Sequence, residues 1–522
     1  MASPSGSAMP HPPLEGTARV WGTIALSAAT FMNVLDTSIA NVSLPSIAGD
    51  LGVSSNQGTW VITSFAVANA IAVPLTGWLS QRFGQVRLFM ASVMLFVITS
   101  WLCGLAPNMT VLIAARALQG FVAGPMIPLS QALLLSSYPK ALAGLAMAMW
   151  AMTTLVAPVM GPLLGGWITD NISWPWIFYI NIPVGFFAVS VVYGIFRNRE
   201  SPTKRLPIDS VGLALLVIWV ASMQVMLDVG KEHDWFHSGM VQALAVVAVI
   251  GFLAFIAWEL TDKHPVVDLS LFRNRNFWAG AVAMSVGYGL FFGNVVLLPL
   301  WLQQYMGYTA TDAGMVMAPV GLLAIVLSPW VGKNVSKYDP RQFATVAFLV
   351  FALVLWMRSN FNTQASFATI MVPTVVQGIA MAFFFIPLVT ITLSEITPER
   401  IPAASGLSNF IRITAGAIGT SVATTVWENR AILHHAQLSE SINQGNGTAV
   451  GILNGLAASG MDSQQALAQV NRLVDQQAFM LAANDIFYAS AAMFLLLIPL
   501  IWIAHAPKKS DGGSADAAAG AH

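Results

Sequence analysis

Charge is the scarcest thing in this chain. Asp, Glu, Lys and Arg supply 9% of its 522 residues, where a soluble domain carries about 25%. Too little polarity remains to cover a water-facing surface, so the sequence describes an integral membrane protein, with a mean hydropathy of +0.69. Basic and acidic residues stand at 23 each, which leaves no net positive charge to recruit nucleic acid. Cysteine is nearly absent. Cys103 alone excludes an intramolecular disulfide framework and a Cys-rich metal site. No GxxxxGK[ST] and no GxGxxG occurs, so nothing is built to cradle nucleotide phosphates, and an ATP-driven pump would need another subunit. Residues 1–18 lack the pattern of a cleaved signal peptide. Residues 508–522 read as a disordered tail. His434 and His435 read as a chance pair rather than a metal site, and no His/Asp/Glu constellation fit for catalysis is visible. The sequence predicts neither an enzyme nor a metal protein.

What is present is apolar sequence in long runs. A spanning helix needs about 20 mostly apolar residues, and about fourteen such runs can be read. Charge placement orients them, because cytoplasmic loops collect Lys and Arg. Even-numbered loops and the termini hold Arg19, Arg82, Arg87, Lys140, Arg197, Arg199, Lys204, Arg205, Lys263, Arg273, Arg275, Lys333, Lys337, Arg341, Arg400, Lys508 and Lys509. Odd-numbered loops hold only Lys231, Arg358, Arg430 and Arg472. Both termini are therefore expected in the cytoplasm. The longest loop, 427–481, falls outside. Within it Ala466, Val470, Leu473 and Val474 recur at helical spacing, predicting one or two interfacial or cap helices.

The chain repeats itself. Gln119-Gly120, Leu135-Ser136 and Gly144-Leu145 match Gln377-Gly378, Leu393-Ser394 and Gly406-Leu407. Span 4 thus pairs with span 12, and span 5 with span 13, in the same orientation. Parallel repeats about an axis along the membrane normal build one large transporter class, with substrate bound between the halves. The expected division is a tail (1–19), an N-terminal six-helix bundle (20–200), two inserted helices (201–262), a C-terminal six-helix bundle (263–505) and a second tail (506–522).

Few ionisable groups sit inside the runs. Asp36 follows a charge-free stretch from Trp21 to Leu35. A charge at the bilayer centre costs about 2.5–3.5 kcal/mol on insertion scales and by default marks an ion or proton path. Asn41 and Pro45 also predict that the first helix ends about two turns later, which would leave Asp36 merely wetted. Arg116, with Gln119 one turn on, is the natural counter-charge. A guanidinium favours the ionised carboxylate and burial favours the neutral one, so a group pulled both ways can load and release protons. Arg116 clamping backbone carbonyls is the alternative. Span 5 carries Pro158, Gly161, Pro162, Gly165 and Gly166, breakers that imply a bend or a close helix interface. The loop after span 2 carries Gly77, Arg82, Gly84 and Arg87, a tight basic turn. Asn33, Gln131, Asn409, Arg412 and Asp485 complete the polar groups in or near the membrane, with Asp485 placed at the start of the last span.

These segments resemble the major facilitator superfamily. "LDTSIANVSLP" (35–45), "GPLLGG" (161–166), Arg116-xx-Gln119-Gly120 and Gly77–Leu88 resemble motifs of its drug:proton antiporter group with fourteen spans. "WIFYINIPVG", "WELTDKHPVVDLSLFRNRNF" and "ASGLSNFIRITAGAIGTS" resemble the EmrB-type multidrug exporters, and the likeness covers nearly all of residues 20–505. Departures are Gln81 in place of an acid, Gln85-Val86 in place of a basic pair, and Ala157 in place of Gly. The resemblance implies an all-α membrane protein of two six-helix bundles and two inserted helices. It implies a proton-driven exporter of amphipathic toxic compounds in the bacterial inner membrane, with no cofactor beyond the proton motive force. Asp36 and Arg116 would couple protons, and Asn33, Gln119, Asn409, Arg412 and Asp485 would line or gate the path. The implied partners are a periplasmic membrane-fusion adaptor (EmrA-type) and an outer-membrane channel (TolC-type), with the long outer loop as docking surface. A dedicated exporter of one metabolite or of fatty acids is the alternative, and a membrane enzyme or scaffold a remoter one.

Overall fold

The computed structural model describes residues 11–139, 142–204, 207–230, 233–440, 442 and 446–505. The expectations resting on Lys140, Arg205, Lys231 and the tail from 506 lie outside the described residues. Helices are the only regular element among those described. That follows from solvent: in lipid every backbone donor and acceptor must be satisfied within the segment.

The helices are α1 (Gly16–Asp50), α2 (Trp60–Ala72), α3 (Thr76–Phe83), α4 (Gln85–Gly104), α5 (Met109–Ala123), α6 (Met126–Ser137), α7 (Ala143–Asn171), α8 (Asn181–Phe196), α9 (Ser210–Val229), α10 (Gly239–Thr261) and α11 (Arg275–Tyr305). There follow α12 (Ala310–Met317), α13 (Pro319–Asn334), α14 (Pro340–Arg358), α15 (Phe367–Leu393), α16 (Ile401–Glu440), α17 (Gly447–Ala458) and α18 (Ser463–Trp502). Local sequence fixes many starts. Asn108, Asp209, Asn274 and Ser366 accept a hydrogen bond from the first turn, and Thr309 with Asp312 forms a capping box. Pro74 separates α2 from α3, which together bend by 62°.

Among the described residues, 11 helices are long and apolar enough to cross a membrane, or 12 when α2 and α3 count as one bent span. The same packing recurs in both halves. α1 packs on α7 and α8, as α11 packs on α16 and α18; α2 packs on α5 as α13 on α15; α4 packs on α8 as α14 on α18. α9 and α10 pair with each other, and α9 also packs on α2 and α16 around Trp219, which meets Phe410 edge-on at 5.8 Å.

Several expectations are corrected. α1 continues through Pro45 to Asp50, so the first helix does not end near Asn41. Pro sits there without stopping a helix that has packed neighbours to hold it. The region 427–481 is mostly the ends of two long helices rather than a loop, with one short separate helix, α17, where one or two were expected. α16 and α18 are 40 residues each, about 60 Å long at 1.5 Å per residue, about twice the hydrocarbon core. They run past the apolar zone as a packed pair, joined only by α17. The helical spacing at Ala466–Val474 is the first stretch of α18 itself, started by an Asp462–Gln465 capping box. Arg430 and Arg472 therefore lie in helices, and Asp485 lies midway along α18 rather than at its start. Arg358 is no loop residue either: it ends α14 with 0% of its surface exposed.

Candidate functional site

α1, α4, α5 and α8 converge on Asp36. Asp36 and Arg116 are each 1% exposed. Arg116 Nη1 donates to Asp36 Oδ2 at 2.6 Å and to Gln119 Oε1 at 2.6 Å. Gln119 and Arg116 lie one turn apart on α5, so both side chains reach the same carboxylate. Gln119 Nε2 donates to Asp36 Oδ1 at 3.1 Å and to Ser100 Oγ at 2.7 Å. Asn181, the first residue of α8, donates from Nδ2 to Asp36 Oδ1 at 2.8 Å and to Ser100 Oγ at 3.2 Å. Arg116 Nε donates to the Val61 carbonyl at 3.1 Å, and its guanidinium lies 4.3 Å from the Phe65 ring centroid. Arg116 therefore pairs with Asp36, contrary to the alternative in which it would only clamp carbonyls, and it holds one carbonyl as well.

The pair is satisfied on nearly every side. Such an arrangement is stable only while both charges are present, because removing one partner of a buried pair costs about 3–5 kcal/mol. Protonating Asp36 would leave Arg116 as an uncompensated charge against Phe65 and Phe178.

The breakers of α7 press against α1 beside this carboxylate. A Cβ on Gly161 would collide with Ser38 Oγ, and one on Gly165 would lie 2.7 Å from Ile39 Cγ1. The expected close interface exists, without a break in α7. Gly166 faces open space and takes no part in it. Pro158 and Pro162 lie in α7, with side chains outside the described residues.

The turn motif lies where the two halves meet. A Cβ on Gly77 would lie 2.6 Å from Ala403 Cβ of α16, and Gly406 of α16 approaches the Val73 carbonyl at 3.0 Å from where its Cβ would stand. On the opposite pairing, α7 meets α13: a Cβ on Gly144 would collide with the Gly332 carbonyl, and one on Gly332 would lie 2.7 Å from Ala148 Cβ. Gly84 has φ +90° at the N-cap of α4, a conformation costly for other residues. Glu200, which nothing in the sequence marks out, caps α4 from the far end of the half. Its carboxylate accepts Val86 N–H at 3.0 Å and Arg87 N–H at 2.9 Å. Arg82 lies over Trp78 at 5.4 Å.

Asn409 of α16 donates to Gln131 Oε1 of α6 at 3.2 Å and accepts from Arg412 Nη2 at 2.7 Å. Arg412 lies 4.5 Å from the Tyr288 ring centroid and is buried. These residues bridge the halves, away from Asp36. Asn33 donates to the Ala123 carbonyl at 3.3 Å, tying α1 to α5. Asp485 belongs to neither cluster. It accepts from Arg430 Nη2 at 2.6 Å and pairs with His434 Nε2 at 2.8 Å, so His434 staples α16 to α18. No group of His, Cys, Asp and Glu that could hold a metal ion occurs among the described residues.

The helices repeat their packing in two halves, and residues 26–420 match the Major Facilitator Superfamily. The chain belongs to that superfamily and is a transporter, not an enzyme. It is 51% identical to the multidrug export protein EmrB of Escherichia coli K12, covering 97% of this chain and 99% of that one. It is 48% identical to the fatty acid resistance protein FarB of Neisseria gonorrhoeae, covering 97% and 100%. The human organic anion transporter MFSD10 (TETRAN) shares the fold with a TM-score of 0.59 at 14% identity, over 93% of this chain and 100% of that one.

Proposed function

We propose that this chain exports many amphipathic toxic compounds across the bacterial inner membrane by antiport with protons. The observation that carries the reading is the Asp36–Arg116 pair, desolvated, at 2.6 Å, in a chain half identical to a multidrug export protein. Asp36 is the proton-binding group. Arg116, Gln119 and Asn181 hold its ionised form, and protonation frees the packing of α1 against α5 and α8. Substrate sits between the halves, held by apolar and aromatic contacts. The halves are 20–200 and 263–505, with α9 and α10 inserted. Counting α7 and α16 as spans brings the total to about fourteen, and both termini then lie on the basic, cytoplasmic side. The glycine contacts at Gly77, Gly144, Gly332 and Gly406 would close that side in an outward-facing state.

The chain would be the inner-membrane part of a tripartite pump, with an EmrA-type adaptor gripping the projecting α16–α18 pair and a TolC-type channel beyond. Deleting 440–475 should abolish adaptor capture; unchanged capture would sink that assignment. The FarB likeness favours fatty acids as a second reading.

The test is transport in proteoliposomes with an imposed pH gradient, using a fluorescent amphipathic cation, a weak-acid uncoupler and a long-chain fatty acid. Wild type should move the first compounds only with the gradient. Asp36→Asn should bind them without moving them. Normal transport by Asp36→Asn would remove Asp36 from coupling, and transport of the fatty acid alone would favour the second reading.

A further inference from the structure

Arg430 and Asp485, which belong to neither buried cluster, line a pocket of about 540 Å³ where α14, α16 and α18 meet. Its height in the membrane follows from helix length. α14 starts and α18 ends on the basic side, where Arg341 lies over the Trp502 ring at 4.8 Å. Trp356 stands about 24 Å along α14 from Pro340, and Asp485 about 26 Å along α18 from Trp502, at 1.5 Å per residue. The hydrocarbon core is about 30 Å thick, so the pocket lies close to the opposite membrane–water boundary. Trp356 and Tyr488 line it and are 55% and 65% exposed, the pattern of an interfacial aromatic belt. Towards the basic side, exposed Leu349 and Leu353 continue the face of Trp356 on α14, and exposed Leu495 continues that of Tyr488 on α18. A polar pocket thus sits at the head of an apolar track.

The polar groups of the pocket carry both signs. Asp485 accepts on Oδ2 from Arg430 Nε at 2.9 Å and Nη2 at 2.6 Å, and pairs there with His434 Nε2 at 2.8 Å. Asp485 Oδ1 and Arg430 Nη1 have no partner among the described residues. Asn360 Nδ2 donates to the Trp356 carbonyl at 2.7 Å, and Asn484 Nδ2 to the Phe361 carbonyl at 2.8 Å. Those bonds orient both amides and leave each Oδ1 without a partner among the described residues. All four side chains line the pocket. Three acceptor oxygens match the three N–H groups of a primary ammonium, and the remaining guanidinium donor suits a phosphate oxygen. We infer that this pocket binds a phospholipid headgroup with a primary ammonium, of the phosphatidylethanolamine class. The ammonium sits on Asp485, Asn360 and Asn484, the phosphate on Arg430, and the acyl chains run along α14 and α18. A wholly anionic headgroup would meet Asp485 as a like charge, and a trimethylated ammonium has no N–H to donate. The site rests on the membrane placement of α14 and α18 and stands whether or not the chain is a proton antiporter.

The probes are dioleoyl phosphatidylethanolamine, phosphatidylcholine and phosphatidylglycerol, each added at equal mole fraction to the full chain in delipidated maltoside micelles. The readout is the thermal unfolding midpoint. Wild type should show a saturable upward shift with phosphatidylethanolamine and a clearly smaller one with the other two. Asp485→Asn removes the like charge and one ammonium acceptor, and should erase the preference for phosphatidylethanolamine over phosphatidylglycerol. Ser359→Trp fills the pocket from a side chain that takes no part in the ion pair. It should fold as wild type does and lose the phosphatidylethanolamine shift. A shift with phosphatidylcholine or phosphatidylglycerol as large as that with phosphatidylethanolamine overturns the inference. So does an undiminished shift in Ser359→Trp, which decides the matter should Asp485→Asn fail to fold. Glycerophosphoethanolamine, which has the headgroup and no chains, should not reproduce the shift at the same concentration; an equal shift would overturn the lipid as occupant.

Discussion

Replacing Asp36 by Asn tests the central pair most directly. The change keeps the side chain's size and removes its charge. The amide oxygen of the variant could still accept on one side, but the amide nitrogen would face either the Arg116 donor or the Gln119 and Asn181 donors, which now bond opposite oxygens of the carboxylate. Arg116 would keep Val61 O, Gln119 Oε1 and the Phe65 ring and lose its counter-charge. Breaking a buried pair from one side costs about 3–5 kcal/mol. The surviving contacts put the expected loss at about 3 kcal/mol, the lower end of that range. Arg116→Met should cost a similar amount, by stranding Asp36 against Gln119 and Asn181. The double variant should be no worse than either single one, because replacing both charges by well-packed neutral groups is often neutral. The assay is a double-mutant cycle on reversible unfolding in mixed micelles. A coupling energy of about 2–3 kcal/mol is expected, well above the ~0.5 kcal/mol scatter of independent sites. Additive single losses would refute the pairing as the site's organising force, even if transport were lost in every variant.

Asn181→Ala should leave Asp36 Oδ1 and Ser100 Oγ short of a donor and destabilise by about 1–3 kcal/mol, read by the same unfolding titration. Glu200→Ala removes the cap of α4 and should cost about 0.5–2 kcal/mol, with faster hydrogen exchange at Val86 and Arg87. Gly144→Val should prevent α7 from seating on α13. It should raise thiol labelling of a reporter cysteine introduced by Ala148→Cys, added from the proposed cytoplasmic side, with unchanged labelling counting against the seam. At Asp339, outside the spans, burial raises the carboxyl but the hydrogen bonds from Arg341 outweigh it and hold it below its ordinary value. Its stabilisation is then complete above about pH 4, the unfolded value, and fades as pH falls through the depressed folded value. Asp339→Asn should flatten that acid-side loss in a thermal-unfolding series.

The parts of the site that sequence exposes are those that violate the solvent. Asp36 and Arg116 stand out because a charge in an apolar run needs a reason. Asn181 and Ser100 do not, since neutral polar residues are unremarkable in spanning helices and their positions reveal nothing of a target in another helix. Arg358 misleads for the opposite cause. A charge at the end of an apolar run looks like a topology signal, and only packing shows that Arg358 turns inward. The repeat is legible from Gln119 and Gln377 because both must occupy the same place in their halves. The projecting α16–α18 pair is not, because hydropathy falls when a helix leaves the membrane just as it falls in a loop, although Ala466–Val474 keeps its helical period.

α16 is unbroken from Ile401 to Glu440. One end carries Ala403 and Gly406 in the seam against Gly77 and Val73; Asn409 and Arg412 lie one to two turns on; the far end reaches Glu440. Such a rod is a lever. Over about 60 Å, a tilt of about 10° pivoting at the seam sweeps the distal end through about 10 Å. Opening or closing the seam would thereby be legible at the distal tip, and a protein holding that tip would sense, or resist, the state of the seam.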